Sequence, residues 1–286
     1  RPVCITYDST CDLTPQLLER FQIRTVPLTI QSGERVFADD GQYTSADLYA
    51  DYRRNGTLPK TAAVSPEEFK SFFLPILEEG YDIVHIDISS ELSCTCQNAV
   101  LAAQELAEQG RVYVVDSRQL STGGGLLALQ GAKLRDSGMD AADVAEKLRG
   151  LASCGDTSFV LDTLEYMWKG GRCSGVAALG ANVLKLKPCL EMREGKLVVC
   201  KKYRGAMGKV YRQYIAERLA GKTVVEDHAF ITHSGEVSED TLRELTELVR
   251  ELAPFKEVFI TQAGCTVSSH CGPGTLGVLF LRQPAQ

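Results

Sequence analysis

The sequence predicts a two-lobed α/β fold: mainly a parallel sheet flanked by helices, with a second, smaller α/β lobe. Two observations predict it. Short β-branched runs alternate with helix-period segments along most of the chain, the pattern of strands joined by helical crossovers. The 286 residues also exceed what one core usually holds, and a division into residues 1–156 and 157–286 is expected.

The elements follow in order. Val3–Tyr7 is a strand, and Thr10 or Asp12 is placed to cap a helix over Pro15–Phe21. Arg24–Ile30 is a second strand that turns at Ser32-Gly33-Glu34 and returns through Arg35-Val36-Phe37. Ser45 starts a helix to about Arg54, broken by Asn55-Gly56, and Leu58–Val64 reads as an extended loop. Ser65-Pro66-Glu67-Glu68 combines a capping box with Pro at the first helical position, so a helix runs to about Glu79.

Tyr81–Ile88 is a strand, a helix follows over roughly Cys94–Gln109, and Arg111–Val115 is the next strand. Helices follow from Thr122 to about Asp136 and over Ala141–Leu151. The second lobe opens on the strand Thr157–Leu161, then a helical turn Leu164–Lys169 and a helix Gly175–Leu184. Strands Pro188–Met192 and Lys196–Tyr203 flank the turn at Arg193-Glu194-Gly195, and a helix Gly208–Leu219 follows. After the strand Glu226–Thr232, Ser238 caps a helix whose Leu242, Leu245, Val249 and Leu252 share a face. Strands Glu257–Thr261 and Leu276–Leu281 close the chain, with a loop at Ser268–Gly274 between them.

Composition excludes several classes. Hydrophobic residues are 44% and charged residues 24%, a globular balance. Net charge is −6 with Lys and Arg dispersed, which argues against a nucleic-acid partner. No apolar run approaches the roughly 20 residues that span a bilayer. Arg1-Pro2-Val3-Cys4-Ile5 enters a strand without the regions of a signal peptide, and Arg1 in place of Met reads as a processing product. The ten cysteines are scattered and form no CxxC pair, the pattern of free thiols in a reducing cytosol. Cys94 and Cys96 with His270-Cys271 are formal metal-ligand types, but their spacing favours buried thiols and no metal.

The chemistry gathers at Ile88–Ala99, where Ser89, Ser90, Ser93 and Thr95 sit between a strand's carboxyl end and a helix start. Ligands of open α/β sheets bind at such ends. The free N–H groups of a helix start also favour an anion. Ser93 reads either as a cap, accepting from the N–H of residue 95 or 96, or as part of a site for a carboxylate. His270 neighbours Gly272-Pro273-Gly274, where glycine permits close approach of a ligand. Arg172, after Gly170-Gly171, suits an anion or a solvated surface. Thr61 is a lone loop threonine, and Asp8 a cap or turn residue. His85 and His228 lie within strand patterns and read as structural, while His233 beside Ser234-Gly235 marks another polar rim. Gly123-Gly124-Gly125 lacks the lysine of a phosphate loop. A Ser93–His270 hydrolase pair stays open on spacing, although no G-x-S-x-G elbow is present.

Taken in order, these motifs resemble the DegV family, the fatty-acid-binding subunits of bacterial fatty acid kinases. The resemblance runs through Asp8-Ser9-Thr10-Cys11-Asp12-Leu13, Val26-Pro27-Leu28, Pro59-Lys60-Thr61, Ser89 to Ala99 and Val115-Asp116-Ser117. It continues through Gly170-Gly171-Arg172-Cys173-Ser174, Lys187-Pro188, Tyr203-Arg204-Gly205 and His270-Cys271-Gly272-Pro273-Gly274-Thr275.

The resemblance implies a DegV-like fold with a long-chain fatty acid buried between or within the lobes and no other cofactor. It implies a carboxylate held at Thr61, Ser93, Cys94, Thr95 and His270, with Arg172 near. It implies a carrier, not a catalyst by itself, that presents the acid to a separate ATP-dependent subunit resembling dihydroxyacetone kinase, which makes the acyl phosphate. Arg204 would lie in the region facing that partner. Transient contact with a membrane surface and a cytoplasmic location belong to the same expectation. A stand-alone serine hydrolase or a sensor for another small anionic lipid are the alternatives.

Two departures from the family pattern stand out. The chain has Ser93-Cys94-Thr95-Cys96 where the family usually has Ser-Gly-Thr-Tyr, and Ala62 where it usually has Ser after Pro-Lys-Thr. The first narrows backbone approach, and the second removes a hydroxyl.

Overall fold

The computed structural model describes residues 1–179 and 185–284. A four-stranded sheet forms from β1 (Val3–Asp8), β2 (Ile23–Val26), β6 (Asp82–Asp87) and β7 (Val112–Asp116), in the order β2-β1-β6-β7 with every pairing parallel. Helices α3 (Pro66–Glu78) and α4 (Thr95–Glu105) cover one face, where Phe69, Phe73, Ile76 and Ala102 meet Cys4 and Ile83. On the other face α5 (Thr122–Asp136) and α6 (Ala141–Leu151) pack against Ile5, Tyr7, Val84 and Val115. Both faces are thus covered, as a parallel sheet requires.

The second sheet contains β8 (Gly155–Val160), β9 (Leu186–Arg193), β10 (Lys196–Arg204), β11 (Val224–His233), β12 (Glu257–Gln262) and β13 (Leu276–Arg282). Its order is β10-β9-β8-β13-β11-β12, and only β11 and β12 pair in parallel. The α/β class holds, but this sheet has more strands than the first and is mostly antiparallel. Helices α9 (Met207–Leu219) and α10 (Glu239–Leu252) cover one of its faces. Leu242, Leu245 and Val249 of α10 are buried as expected, whereas Leu252 is 44% exposed because the helix ends there.

Helix α5 lies between the two sheets and is buried around most of its circumference, as a helix with two covered sides must be. This explains the triple glycine. A Cβ at Gly123 would stand 2.0 Å from Thr157 Oγ1, and one at Gly124 would stand 1.8 Å from Tyr7 Oη. The glycines permit close packing and cradle no phosphate.

Several sequence expectations change. Arg24–Ile30 is not one strand: it breaks at Pro27-Leu28, and its second half becomes β3 (Thr29–Ser32) of a separate sheet. There β3 pairs antiparallel with β4 (Arg35–Ala38) and with β5 (Lys60–Ala62), so the expected loop at Leu58–Val64 contains a strand. Helix α1 (Pro15–Phe21) is capped by Thr14, not Thr10 or Asp12. Helix α2 (Ser45–Asn55) starts with a capping box at Thr44 and Asp47. The helix Gly175–Leu184 is α8 (Ser174–Leu179), and residues 180–184 lie outside the described part. The helical turn after β8 is α7 (Glu165–Gly170). The loop expected at Ser268–Gly274 is mostly α11 (Cys265–Cys271), which places His270 on a helix.

Among the described residues no helix is long and apolar enough to cross a membrane. Eight cysteines are buried, while Cys94 and Cys200 are exposed. Among the described residues no three or more His, Cys, Asp or Glu come together as metal ligands, and none of the ten cysteines is in a disulfide.

Candidate functional site

The serine-rich junction divides its hydroxyls between scaffold and site. Asp8, fully buried at the end of β1, accepts from the Thr10 N–H at 2.8 Å and from the Ile88 N–H at 2.8 Å. It thereby ties the carboxyl ends of β1 and β6 together. Burial and the nearby Asp87 hold its carboxyl well above the usual range. Ser89 donates to the Gly195 carbonyl at 2.6 Å, anchoring the β9–β10 turn, and Ser90 donates to Asp116 at 2.6 Å. Both are consumed by structure. Ser93 remains at the start of α4. Its Oγ accepts from the Thr95 N–H at 3.2 Å and lies 2.9 Å from Thr95 Oγ1.

Ser93 lines a cavity of about 360 Å³, within the ~300–1,000 Å³ of ordinary ligand sites. Thr61 of β5, Cys94 at the head of α4, Arg172 after α7 and His270 of α11 line it too. Four separate elements therefore bring five of the anticipated residues to one space. Most of the remaining wall is apolar, including Leu28, Ile88, Leu120, Phe159, Met167 and Val267. Leu120, Phe159, Val267 and Cys271 also border a void of about 30 Å³ that extends toward Thr232, His233 and Leu279. His233, the anticipated second rim, thus lies at the far end from Ser93.

Thr95 needs correction as a cavity residue. It is fully buried and outside the lining, because the first turn of α4 directs it inward; it acts on the cavity only through Ser93 Oγ. Arg204 ends β10 on the exposed surface and lines neither void. His85 and His228 are structural as expected. Fully buried His85 bridges Thr6 Oγ1 at 2.7 Å and Asp87 at 2.9 Å, while His228 is held neutral-leaning by burial.

His270 Nδ1 lies 2.9 Å from the Thr266 carbonyl oxygen and 3.2 Å from Ser269 Oγ. A carbonyl oxygen only accepts, so Nδ1 carries the proton. Burial lowers the imidazole's pKa, and the neighbouring Arg172 guanidinium lowers it further against the Thr266 bond. Neutral His270 therefore offers a lone pair on Nε2. Gly170 permits this placement, since a Cβ there would stand 2.7 Å from His270 Cδ2. Arg172 folds back to donate to the Gly170 carbonyl at 2.7 Å.

A serine–histidine hydrolase needs the serine bonded to the imidazole and a group to orient it. Ser93 is bonded to Thr95 instead, and a backbone carbonyl takes the orienting position on His270. This arrangement favours anion binding over nucleophilic attack.

Sequence reading missed what holds α11. Asp12, in the left-handed conformation at φ 50°, accepts from the Gly264 N–H at 2.9 Å and from Ser121 Oγ at 2.6 Å. Asp39 accepts from the Cys265 N–H at 3.0 Å and the Thr266 N–H at 3.4 Å. Two buried carboxylates from the first part of the chain thus satisfy the free N–H groups of the helix bearing His270. Burial, with Asp39 adding, pushes the Asp12 carboxyl up to about 8 against those hydrogen bonds. A separation of roughly 250 residues left no local signal for the contact.

Comparison with known proteins bears on the family and the fold. The sequence model of the DegV family, described as an uncharacterised protein family, matches residues 2–283. A DegV family protein from Thermus thermophilus, described for its fatty-acid binding, superposes with a TM-score of 0.87 at 31% identity, covering 99% of this chain and 100% of its own. A fatty acid-binding protein of Thermotoga maritima is 29% identical over 280 residues, covering 96% of each chain. The fatty acid kinase B3 protein of Streptococcus pneumoniae, loaded with linoleic acid, has a TM-score of 0.84 and covers 98% of this chain and 99% of its own. At 22% identity that last likeness is one of fold. The chain belongs to the DegV family.

Proposed function

We propose that the chain binds a long-chain fatty acid and presents its carboxylate to a separate ATP-dependent kinase subunit, resembling dihydroxyacetone kinase, that forms the acyl phosphate. The observation that carries this reading is one cavity with an apolar body and a polar end formed by Thr61, Ser93, Arg172 and His270. A fatty acid has that same division. On the order of 16 methylenes, each contributing about 0.8 kcal/mol when buried, supply affinity, while the polar end fixes orientation.

The lobes, residues 1–156 and 157–286, close on the acid from opposite sides. Thr61 and Ser93 donate to the carboxylate, Cys94 borders it, Thr95 orients Ser93, and Arg172 supplies the opposite charge. The tail points toward the void beside Thr232 and Leu279. The acid is the ligand, and no further cofactor takes part. The chain itself makes no covalent bond; the partner supplies the phosphoryl group and meets the surface that carries Arg204. Trp168, 51% exposed on α7 with Lys169 beside it, suits brief contact with a membrane surface during loading. Free thiols fit a cytoplasmic location.

Denaturing extraction of the purified protein followed by mass spectrometry tests the reading. A long-chain fatty acid near one per chain is expected. Protein that yields no lipid and takes up neither palmitate nor oleate would sink it.

A further inference from the structure

Of the two exposed cysteines, Cys94 and Cys200, only Cys200 is hydrogen-bonded to a second cysteine among the described residues. Strands β9 and β10 pair antiparallel from Lys196 opposite Arg193 to Arg204 opposite Leu186, and the register breaks once. Val199 pairs with Leu190 and Lys201 with Cys189, so Cys200 is the extra residue of a bulge. A bulge sets two residues of one strand against one of its neighbour, and Cys200 with Lys201 thus opposes Cys189. Cys200 Sγ donates to the Cys189 carbonyl oxygen at 3.3 Å. Cα atoms paired across antiparallel strands stand about 4.5–5.5 Å apart, inside the span that a disulfide bridges. Strand β10 is the outer strand of its sheet, so Cys200 is open to solvent while Cys189 lies buried behind it.

The two thiols are unequal. When Cys200 ionises, its sulfur accepts from the Cys189 thiol. That bond, with the Arg218 guanidinium beyond it, holds Cys200 below the usual thiol range against burial and Glu191. The same bond and burial push Cys189 up. An exposed thiolate is the form that attacks, and a second thiol in contact with it is what resolves the product.

We propose that Cys200 and Cys189 form an oxidative modification site, in which a hydroperoxide converts the cross-strand pair to a disulfide. The Cys200 thiolate bonds to one peroxide oxygen. The O–O bond breaks, and the other oxygen leaves with the electron pair and takes up a proton. Cys200 is then a sulfenic acid, and the peroxide is reduced to water or an alcohol. The Cys189 sulfur next bonds to the Cys200 sulfur. The S–O bond breaks, and the oxygen leaves as water with the Cys189 proton. The disulfide ties β9 to the strand that ends at Arg204, and a thiol reductant reverses it. Neither cysteine lines the cavity at Ser93 or the voids beside it, so the site is separate from that of the acid.

The test treats the reduced full chain with hydrogen peroxide, blocks the remaining thiols with iodoacetamide under denaturing conditions, and maps peptides by mass spectrometry without reductant. A peptide pair joined through Cys189 and Cys200 is expected in wild type. The same link is expected in Cys94→Ser, which removes the other exposed thiol, and dithiothreitol should release it from both proteins. Cys200→Ser keeps a donor to the Cys189 carbonyl and should leave Cys189 fully alkylated after the same treatment. Wild type with both Cys189 and Cys200 still alkylated, oxidation confined to Cys94, Cys200 oxidised beside an alkylated Cys189, or Cys200 joined to any other cysteine would overturn the site.

Discussion

His270 Nδ1 stands 2.9 Å from the carbonyl oxygen of Thr266, so the ring's proton is committed to its own helix. Nε2 is left without a protein partner among the described residues, beside a cavity fitted for an anion. A carboxylate cannot donate to that lone pair. It favours the imidazolium instead, and binding should therefore draw in a proton. Burial holds the His270 imidazole below its usual range. The bound acid raises that pKa. Between the two values binding takes up as much as one proton, and affinity falls by up to about tenfold per pH unit as pH rises. Calorimetry in two buffers of different ionisation enthalpy measures the uptake. His270→Gln should abolish it, and uptake unchanged in that variant would assign the proton elsewhere.

Ser93 precedes the cap position of α4, which Cys94 holds, and its Oγ accepts from the Thr95 N–H; the proposed function adds a carboxylate to it, and one substitution separates the two. Ser93→Ala removes the acceptor for the Thr95 N–H, which should cost about 1 kcal/mol of stability. It also removes a donor to the carboxylate, which should weaken palmitate about tenfold. Chemical unfolding and ligand titration on the same preparation read the two effects. Lost stability with unchanged affinity would make Ser93 a structural residue alone.

How much was legible follows from range. Hydrophobic period is local, so the spans of α1 (Pro15–Phe21), α5 (Thr122–Asp136) and α6 (Ala141–Leu151) are readable in the sequence, whereas the Thr14 cap of α1 is not. Strand β5 was not. Lys60–Ala62 extends because it pairs with β3, some 30 residues away, and nothing in Pro59-Lys60-Thr61-Ala62 announces a partner. Ser268 to Gly274 is rich in turn formers and predicts a loop where α11 stands; distant Asp12 and Asp39 override them by satisfying its first N–H groups. The cavity's polar residues came from ordered motifs, whereas its apolar wall arises only once the chain is folded. Thr95 was misplaced because a sequence gives the hydroxyl but not the turn of helix that aims it.

Asp12 predicts a pH signature of stability. Its carboxyl titrates near 8 in the folded chain, against about 3.9 when unfolded. The folded state then binds more protons than the unfolded one between those values. This contribution is fully present below about pH 4 and is lost as pH rises toward 8. Asp12→Asn, which keeps the shape of the neutral carboxyl, should flatten that part of the profile. Urea midpoints from pH 5 to 8.5 check it. Equal slopes in both proteins would refute the assignment.

Val267 stands between the two apolar voids, at 9% exposure. Val267→Ala joins them by removing two methyl groups, at a stability cost of about 2 kcal/mol. Relative affinity should shift toward longer acyl chains. A series of saturated acids, titrated into both proteins, measures the shift. An unchanged ranking would place the tail elsewhere.

The central claim is that a carboxylate sits among Thr61, Ser93, Arg172 and His270 while its chain lies between the lobes. Parallel titration of delipidated protein with palmitate and methyl palmitate tests it most directly, because the two share a tail and differ at the head. One palmitate per chain, and at least tenfold weaker binding of the ester, are expected. Equal affinity for acid and ester, or binding of neither, would contradict the account.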